Sequence, residues 1–252
     1  MTPEWERMLA SMRAFFRTIT GPSEGSQFVE LDGVLATVTP AVPDRSLPNS
    51  VLYESEQELE ATLDGLARIY DEAGVRAWTV WTPFYHDRAR ELLAAAGHVL
   101  DAHPEAMTAD LAQVEAPREA DPEPDPRPSA ADVGQINDRA YGLTKTFSVV
   151  MGDAELSPAD AYVGRVDGTP AACVVTNDHE GDCSVWWVAV APEARGRGLA
   201  AGLMRRALHA GRERGCEVST LQATKLGQPV YERLGYRRLG AIEMWERRKP
   251  AA

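Results

Sequence analysis

Two features of this chain could do chemistry, and they lie 36 positions apart, at Arg195 and Tyr231. The first is Arg195-Gly196-Arg197-Gly198-Leu199-Ala200, which couples two cations to two glycines. Glycines let the backbone close on a ligand, and the arginines add charge. Leu199, Leu203, Met204, Ala207 and Leu208 follow at the spacing of one helix face. The loop therefore sits on the amino end of a helix, where unpaired N–H groups and the macrodipole favour anions. That chemistry is capture of a phosphate or pyrophosphate. The second feature is the phenol of Tyr231. A phenol with a pKa near 10 is protonated at neutral pH and can pass its proton to a leaving group. Ahead of the loop, Val185 to Ala191 is too short for a membrane span and rich in Val and Trp, so it reads as a buried strand that Pro192 stops.

A strand, an Arg/Gly loop and a helix fit two patterns. Gly196-Arg197-Gly198-Leu199-Ala200-Ala201 satisfies the G-x-G-x-x-A form of the dinucleotide fingerprint, with Glu217 near the expected acidic position. That fold opens a long βαβ series, however, and only about fifty residues follow here. The other pattern is Arg or Gln, two residues, Gly, one residue, then Gly or Ala, filled by Arg195, Gly198 and Ala200. Downstream, Gln222 to Tyr236 contains Tyr231-Glu232-Arg233-Leu234-Gly235-Tyr236, a Tyr-x-x-x-Gly-aromatic ending. With both motifs at this separation, Ser129 to Arg248 resembles the GNAT superfamily of acetyl-CoA-dependent N-acyltransferases.

The resemblance implies a ternary complex and direct acetyl transfer from acetyl-CoA to a primary amine of a small molecule or peptide. Backbone groups of Val188, Ala189 and Val190 would pair with the pantetheine arm, one N–H polarising the thioester carbonyl. The amides of Gly196, Arg197, Gly198, Leu199, Ala200 and Ala201, with the Arg195 and Arg197 side chains, would hold the pyrophosphate. Tyr231 would protonate the departing thiolate. Family members often take a general base from the central strand, where this chain has Val185, Trp186 and Trp187. Asp178, His179 and Glu180 on the preceding turn are the nearest candidates. Trp186 and Trp187 are adjacent, so strand alternation sends them to opposite faces, one to the core and one to the acceptor side. A different class of reading is a catalytically silent acyl-CoA sensor or partner-binding module.

Composition bounds these readings. The net charge of −12, from 26 basic and 38 acidic residues, argues against nucleic acid and anionic membrane as main partners. Cys173, Cys183 and Cys216 are odd in number, lack CxxC spacing and lie in apolar segments, which suits packed thiols in a reducing cytoplasm. The five histidines lack metal-ligand spacing, so no metal is expected. No signal peptide or apolar 18-mer is legible.

The elements that would position these residues follow from periodicity. Thr2-Pro3 starts a helix striped by Trp5, Met8, Leu9, Met12, Phe15 and Phe16, with Gly21-Pro22 as its stop. Hairpins are expected at Asp32-Gly33 and Asp167-Gly168. Ser55 with Glu58 forms a capping box ahead of Leu59, Leu63, Leu66 and Tyr70. Gln113 to Ser129 is proline-rich and acidic and reads as an extended linker. The two halves share an order of hairpin, strand, helix, strand, short helix and final strand. This predicts an α/β (α+β) protein of two GNAT-like domains, each a mixed, mostly antiparallel sheet flanked by helices. The division is 1–112 as a degenerate copy, 113–128 as linker and 129–252 as the working domain. Where the second copy has Arg195 to Ala200, the first has Ser55-Glu56-Gln57-Glu58-Leu59, which would repel a pyrophosphate. Two fused copies could replace a homodimer, so a monomer or homodimer is expected.

Overall fold

The computed structural model describes residues 2–19, 23–152, 154 and 161–249; the expected stop at Gly21-Pro22 lies outside the described residues. In chain order the elements begin with α1 (Pro3–Ile19), β1 (Gln27–Leu31), β2 (Val34–Val38), β3 (Ser50–Tyr53), α2 (Glu56–Glu72), β4 (Ala77–Pro83), α3 (Asp87–Ala95), β5 (Val99–Ala102) and β6 (Glu105–Asp110). They continue with α4 (Ala130–Tyr141), α5 (Phe147–Met151), β7 (Ala161–Val166), β8 (Thr169–His179), β9 (Asp182–Val190), α6 (Leu199–Glu213), β10 (Val218–Ala223), α7 (Gln228–Arg233) and β11 (Arg237–Arg248). The mixed α/β class is as expected.

The local signals act as their chemistry requires. Ser55 Oγ accepts from the Glu58 amide at 3.3 Å and starts α2, and Ser129 Oγ accepts from Asp132 at 3.0 Å and starts α4. Asp167 (φ 50°) and Gly168 (φ 77°) both take positive φ between Val166 and Thr169, the geometry of a type I′ hairpin turn. The turn expected to carry Asp178, His179 and Glu180 is tighter. Asn177, Asp178 and His179 all continue the β8–β9 ladder, and only Glu180-Gly181 turns. Helix α5 and strand β5 are additions to the elements read from sequence.

Contacts divide the chain into two compact units that are not contiguous. Unit 1 holds Met1–Phe15 and Glu105–Leu239; unit 2 holds Phe16–Pro104 and Gly240–Ala252. This differs from the linear division into 1–112, 113–128 and 129–252. Strand β6 comes from the first half of the sequence but runs antiparallel to β10, from Glu105 opposite Ala223 to Asp110 opposite Val218, inside unit 1. The carboxyl-terminal part of β11 instead runs antiparallel to β4, from Ile242 opposite Pro83 to Arg248 opposite Ala77, inside unit 2. The last strand expected in each half thus completes the sheet of the other unit. Alternating apolar residues mark a strand but carry no address for its partner.

Residues 113–128 contain no helix or strand, yet they are not a free spacer. Arg205 of α6 holds Asp121 in a bidentate pair, with Nε to Oδ2 at 2.8 Å, and both side chains are buried. That pairing lowers the Asp121 pKa to about 2. Pro122 lies against Gly202, where a Cβ would sit 2.5 Å from its Cδ. Arg206 pairs with Glu123, and Asp125 accepts from Arg165 Nε at 2.8 Å.

The sheet of unit 1 runs β6, β10, β9, β8, β7. Its core is built around Met107, Val174, Val185, Leu203, Leu208 and Leu221. Neighbours β8 and β9 are antiparallel, so the long parallel series of a dinucleotide fold is absent here. In unit 2 the strand pairs are β1–β2, β2–β3, β3–β4, β4–β11 and β11–β5. Its core gathers Leu59, Leu66, Tyr70, Trp78 and Leu93.

Candidate active site

Strands β9 and β10 run parallel, but the pair registered between them is a single one, Val218 with Asp182 at their starts. On the next residue a side chain takes over from the ladder, with Ser219 Oγ donating to the Cys183 carbonyl at 2.6 Å. The strands then part, and among the described residues no further strand pair is registered on that edge of β9. Ala191 donates to Ala171 of β8 at 2.8 Å. Alternation therefore turns Ala189 toward β8 and Val190 toward the opening. Of the three residues expected at a pantetheine arm, Val190 thus presents its main chain to the gap.

A bulge sits at the same level. Between Cys173–Ala189 and Val175–Trp186 the register shifts, so Trp187 and Val188 oppose one residue of β8. Trp187 carries φ 46°, left-handed backbone that a bulky residue rarely adopts. The bulge cancels the alternation expected of adjacent tryptophans. Trp186 stacks on Phe15 at 4.0 Å between centroids, and Trp187 meets the same ring edge-on at 5.4 Å. Phe15 belongs to α1, so the amino-terminal helix reaches this site, which the linear reading of domains did not foresee.

After Pro192–Ala194, a single 3₁₀ turn, the Arg/Gly loop leads into α6. Gly196 (φ 76°) and Gly198 (φ 75°) are left-handed, and a Cβ on either would meet nothing within 4 Å. They are glycines for their conformation, and open space stands over both. Gly198 caps α6 with no side-chain hydrogen bond and no acidic residue in the first turn. The amides of Leu199, Ala200 and Ala201 are therefore the helix's own free donors. The two arginines differ. Arg195 Nη2 donates to the Ala140 carbonyl at 2.8 Å, and its Nε donates to the Val190 carbonyl at 3.3 Å. Its guanidinium ties α4 to the end of β9. Arg197 is exposed beside the open glycines.

Tyr231 stands on α7, a short helix started by Pro229. Its ring lies over Gly227, where a Cβ would be 2.8 Å from Cε2, and packs edge-on to Tyr236 at 5.9 Å. Tyr236 Oη and Ser219 Oγ share a hydrogen bond of 2.6 Å. A chain of contacts thus runs from the fork of β9 and β10 to the phenol. Burial first, and then Tyr141, raises the Tyr231 pKa above the ordinary phenol value, so it keeps its proton throughout the physiological range.

The expected base candidates lie at the other end of the strands. Asp178 is held by Arg214 at 2.6 and 2.9 Å beside the Glu180-Gly181 turn. Trp187 is five residues beyond Asp182, roughly 17 Å along an extended strand. The structure does not bring Asp178, His179 or Glu180 to the bulge. The cysteines are no alternative nucleophiles. Burial raises the Cys173 pKa to about 12 and the Cys216 pKa to about 11, and it also raises that of Cys183. Cys173 donates its S–H to the Trp187 carbonyl at 3.3 Å. Among the described residues no group of three His, Cys, Asp or Glu side chains could hold a metal ion. No helix among them is long and apolar enough to cross a membrane.

Residues 157–238 match the family model of an acetyltransferase (GNAT) domain. No curated protein matches the sequence. Among solved structures, a GCN5-related N-acetyltransferase from Kribbella flavida is similar with a TM-score of 0.71 at 16% identity, over 100% of this chain and 97% of that one. A GCN5-related N-acetyltransferase from Sphaerobacter thermophilus gives a TM-score of 0.58 at 16% identity, over 99% and 93%. A putative GNAT-family acetyltransferase from Novosphingobium aromaticivorans gives 0.58 at 18% identity, over 89% and 92%. At such identities the structural likeness speaks for the fold, and the matched domain speaks for the family. The fork, the glycine-capped helix and the tyrosine all fall within that matched domain, so residues 157–238 are similar to a GNAT acetyltransferase domain and the chain has the fold of its structural neighbours.

Proposed function

We propose that this protein transfers an acetyl group from acetyl-CoA directly to a primary amine within a ternary complex. The observation that carries the reading is the glycine-capped start of α6, open above Gly196 and Gly198, at the mouth of two strands that part. The free amides of Leu199 to Ala201, with Arg197, bind the pyrophosphate. Val188 and Val190 pair with the pantetheine arm as a neighbouring strand would, and an amide there polarises the thioester carbonyl. The acceptor nitrogen attacks that carbonyl carbon. As the C–S bond breaks, Tyr231 gives its Oη proton to the departing sulfur, and the amine's surplus proton passes to water. The amino-terminal copy, whose matching helix begins with Glu56 and Glu58, binds no acyl-CoA and serves structurally. The protein works in the cytoplasm without a metal.

Calorimetry with acetyl-CoA, followed by thiol release with amine acceptors, tests this. Binding in a one-to-one ratio and acceptor-dependent release of CoA are expected. Binding without release for any amine would instead favour a silent acyl-CoA sensor. No binding by a folded protein would end both readings.

A further inference from the structure

The site has an unusual wall, and it bears on what the acceptor is. Five aromatic rings from three regions of unit 1 form a continuous row. It begins with Trp186 stacked on Phe15 and continues to Trp187. Trp187 meets Phe147 of α5 edge-on at 5.9 Å, and Phe147 stacks on Tyr141 at 5.7 Å. Trp186, Phe15 and Phe147 are buried, whereas Trp187 is half-buried and Tyr141 is 51% exposed. The row therefore has a packed base and two available faces. One available ring sits on the bulge next to Val188. The other follows Ala140, whose carbonyl accepts from Arg195 Nη2 at 2.8 Å. The available faces thus lie beside the strand proposed to hold the thioester and the loop that follows it.

Asp138 of α4 and Glu193, which pairs with α4, are both occupied. Asp138 accepts from the amides of Thr146 at 2.9 Å, Phe147 at 2.8 Å and Ser148 at 3.2 Å, and from Ser148 Oγ at 2.6 Å. Glu193 is paired with Arg139. A polyamine or a basic amino acid needs a counter-charge for its second ammonium. The five rings of the row carry no charge. They offer π faces, which favour a flat ring by offset stacking or edge contact.

We infer that the acceptor is a primary amine carried on a flat aromatic body, held by Trp187 and Tyr141. This inference rests on the acetyltransferase reading. Its test is the full-length protein saturated with CoA, titrated with phenethylamine, tryptamine and spermidine by calorimetry, with steady-state acetylation of the same amines. The two aromatic amines are expected to bind at least tenfold more tightly than spermidine. Tyr141→Ala, a change at an exposed position, should raise KM for phenethylamine about tenfold while leaving the acetyl-CoA Kd unchanged. Trp187→Phe should retain more of the aromatic preference than Trp187→Ala. Spermidine binding as tightly as phenethylamine, or an unchanged KM in Tyr141→Ala, would overturn the inference while acetyl-CoA still bound. If acetyl-CoA does not bind at all, the acetyltransferase reading falls, and this one with it.

Discussion

Each unit has a strand leading into a helix and a parallel strand following it, yet the two junctions are finished differently. In unit 2, β3 and β4 keep two successive pairs, Ser50 with Thr79 and Val51 with Val80. Ser55 caps α2 through its hydroxyl, and Glu56 and Glu58 occupy the first turn. Glu56 Oε1 also accepts from the Ala89 amide of α3 at 2.9 Å. The positive end of that helix is complemented from within. In unit 1, β9 and β10 keep one pair, Gly198 caps α6 without a side chain, and the first turn holds no acid. The same architecture is finished in two ways: in unit 2 its own side chains complete the helix start, and in unit 1 they leave it open.

The comparison can be broken most directly by giving unit 1 the finish of unit 2. Gly198→Asp puts a carboxylate and a Cβ at the left-handed cap. It should weaken acetyl-CoA binding by at least 100-fold in calorimetry, with far-ultraviolet circular dichroism unchanged. If affinity survives, the start of α6 is not the anion site. Next in size, Tyr231→Phe should lower kcat by about 10²- to 10³-fold, the range of general acid–base catalysis. The acetyl-CoA Kd should hold, since the ring and its packing on Tyr236 remain.

The fork itself can be probed through Asp182. Its Oδ2 accepts from Ser11 and Thr220, each at 2.6 Å, while Oδ1 is buried without a partner. Burial raises its pKa from 3.8 to about 6, against the hydroxyl hydrogen bonds and the nearby cation Arg7. The folded state therefore holds this proton more tightly than the unfolded one. The resulting stability is present in full below pH 4 and is lost as pH rises to about 6. By linkage this amounts to roughly 3 kcal/mol. Subtracting the pH-dependent unfolding free energies of Asp182→Asn from those of the parent should recover a fall of that sign. A flat difference between pH 4 and 7 would show that the carboxyl is not perturbed. Smallest in effect, Ser55→Ala removes the unit 2 cap and should cost about 1 kcal/mol of stability. It should leave the acetyl-CoA Kd unchanged, because Glu56 and Glu58 still occupy the first turn of that helix.

The elements that carry the candidate site were legible in sequence because they are local. The anion loop needs glycines at two left-handed positions beside a helix start, and Gly196 and Gly198 are spaced for that within four residues of Arg195. Tyr231 was legible because Pro229 and Gly235 bracket a helix too short to be anything else. The carbonyl contacts of Arg195 were not legible. Its spacing suits a phosphate, but its guanidinium is taken by the carbonyls of Ala140 and Val190, and Ala140 is 55 residues away in the chain. The base candidates at Asp178 to Glu180 failed for a related reason. Nearness in sequence to the strand did not say which end of it they occupy.

The sequence by itself determined the caps, the Asp-Gly hairpins, the glycine loop and the helix bearing Tyr231. Each is fixed by hydrogen bonds and backbone preferences spanning a few residues. Only the tertiary structure decided that β6 completes the sheet beside β10 and β11 the sheet beside β4. The same holds for Phe15, which reaches from the amino-terminal helix to Trp186, and for a bulge that turns two adjacent tryptophans onto one ring. Strand partners and ring stacks are chosen by packing between distant segments. A period-two apolar pattern says that a strand will be buried but not against what.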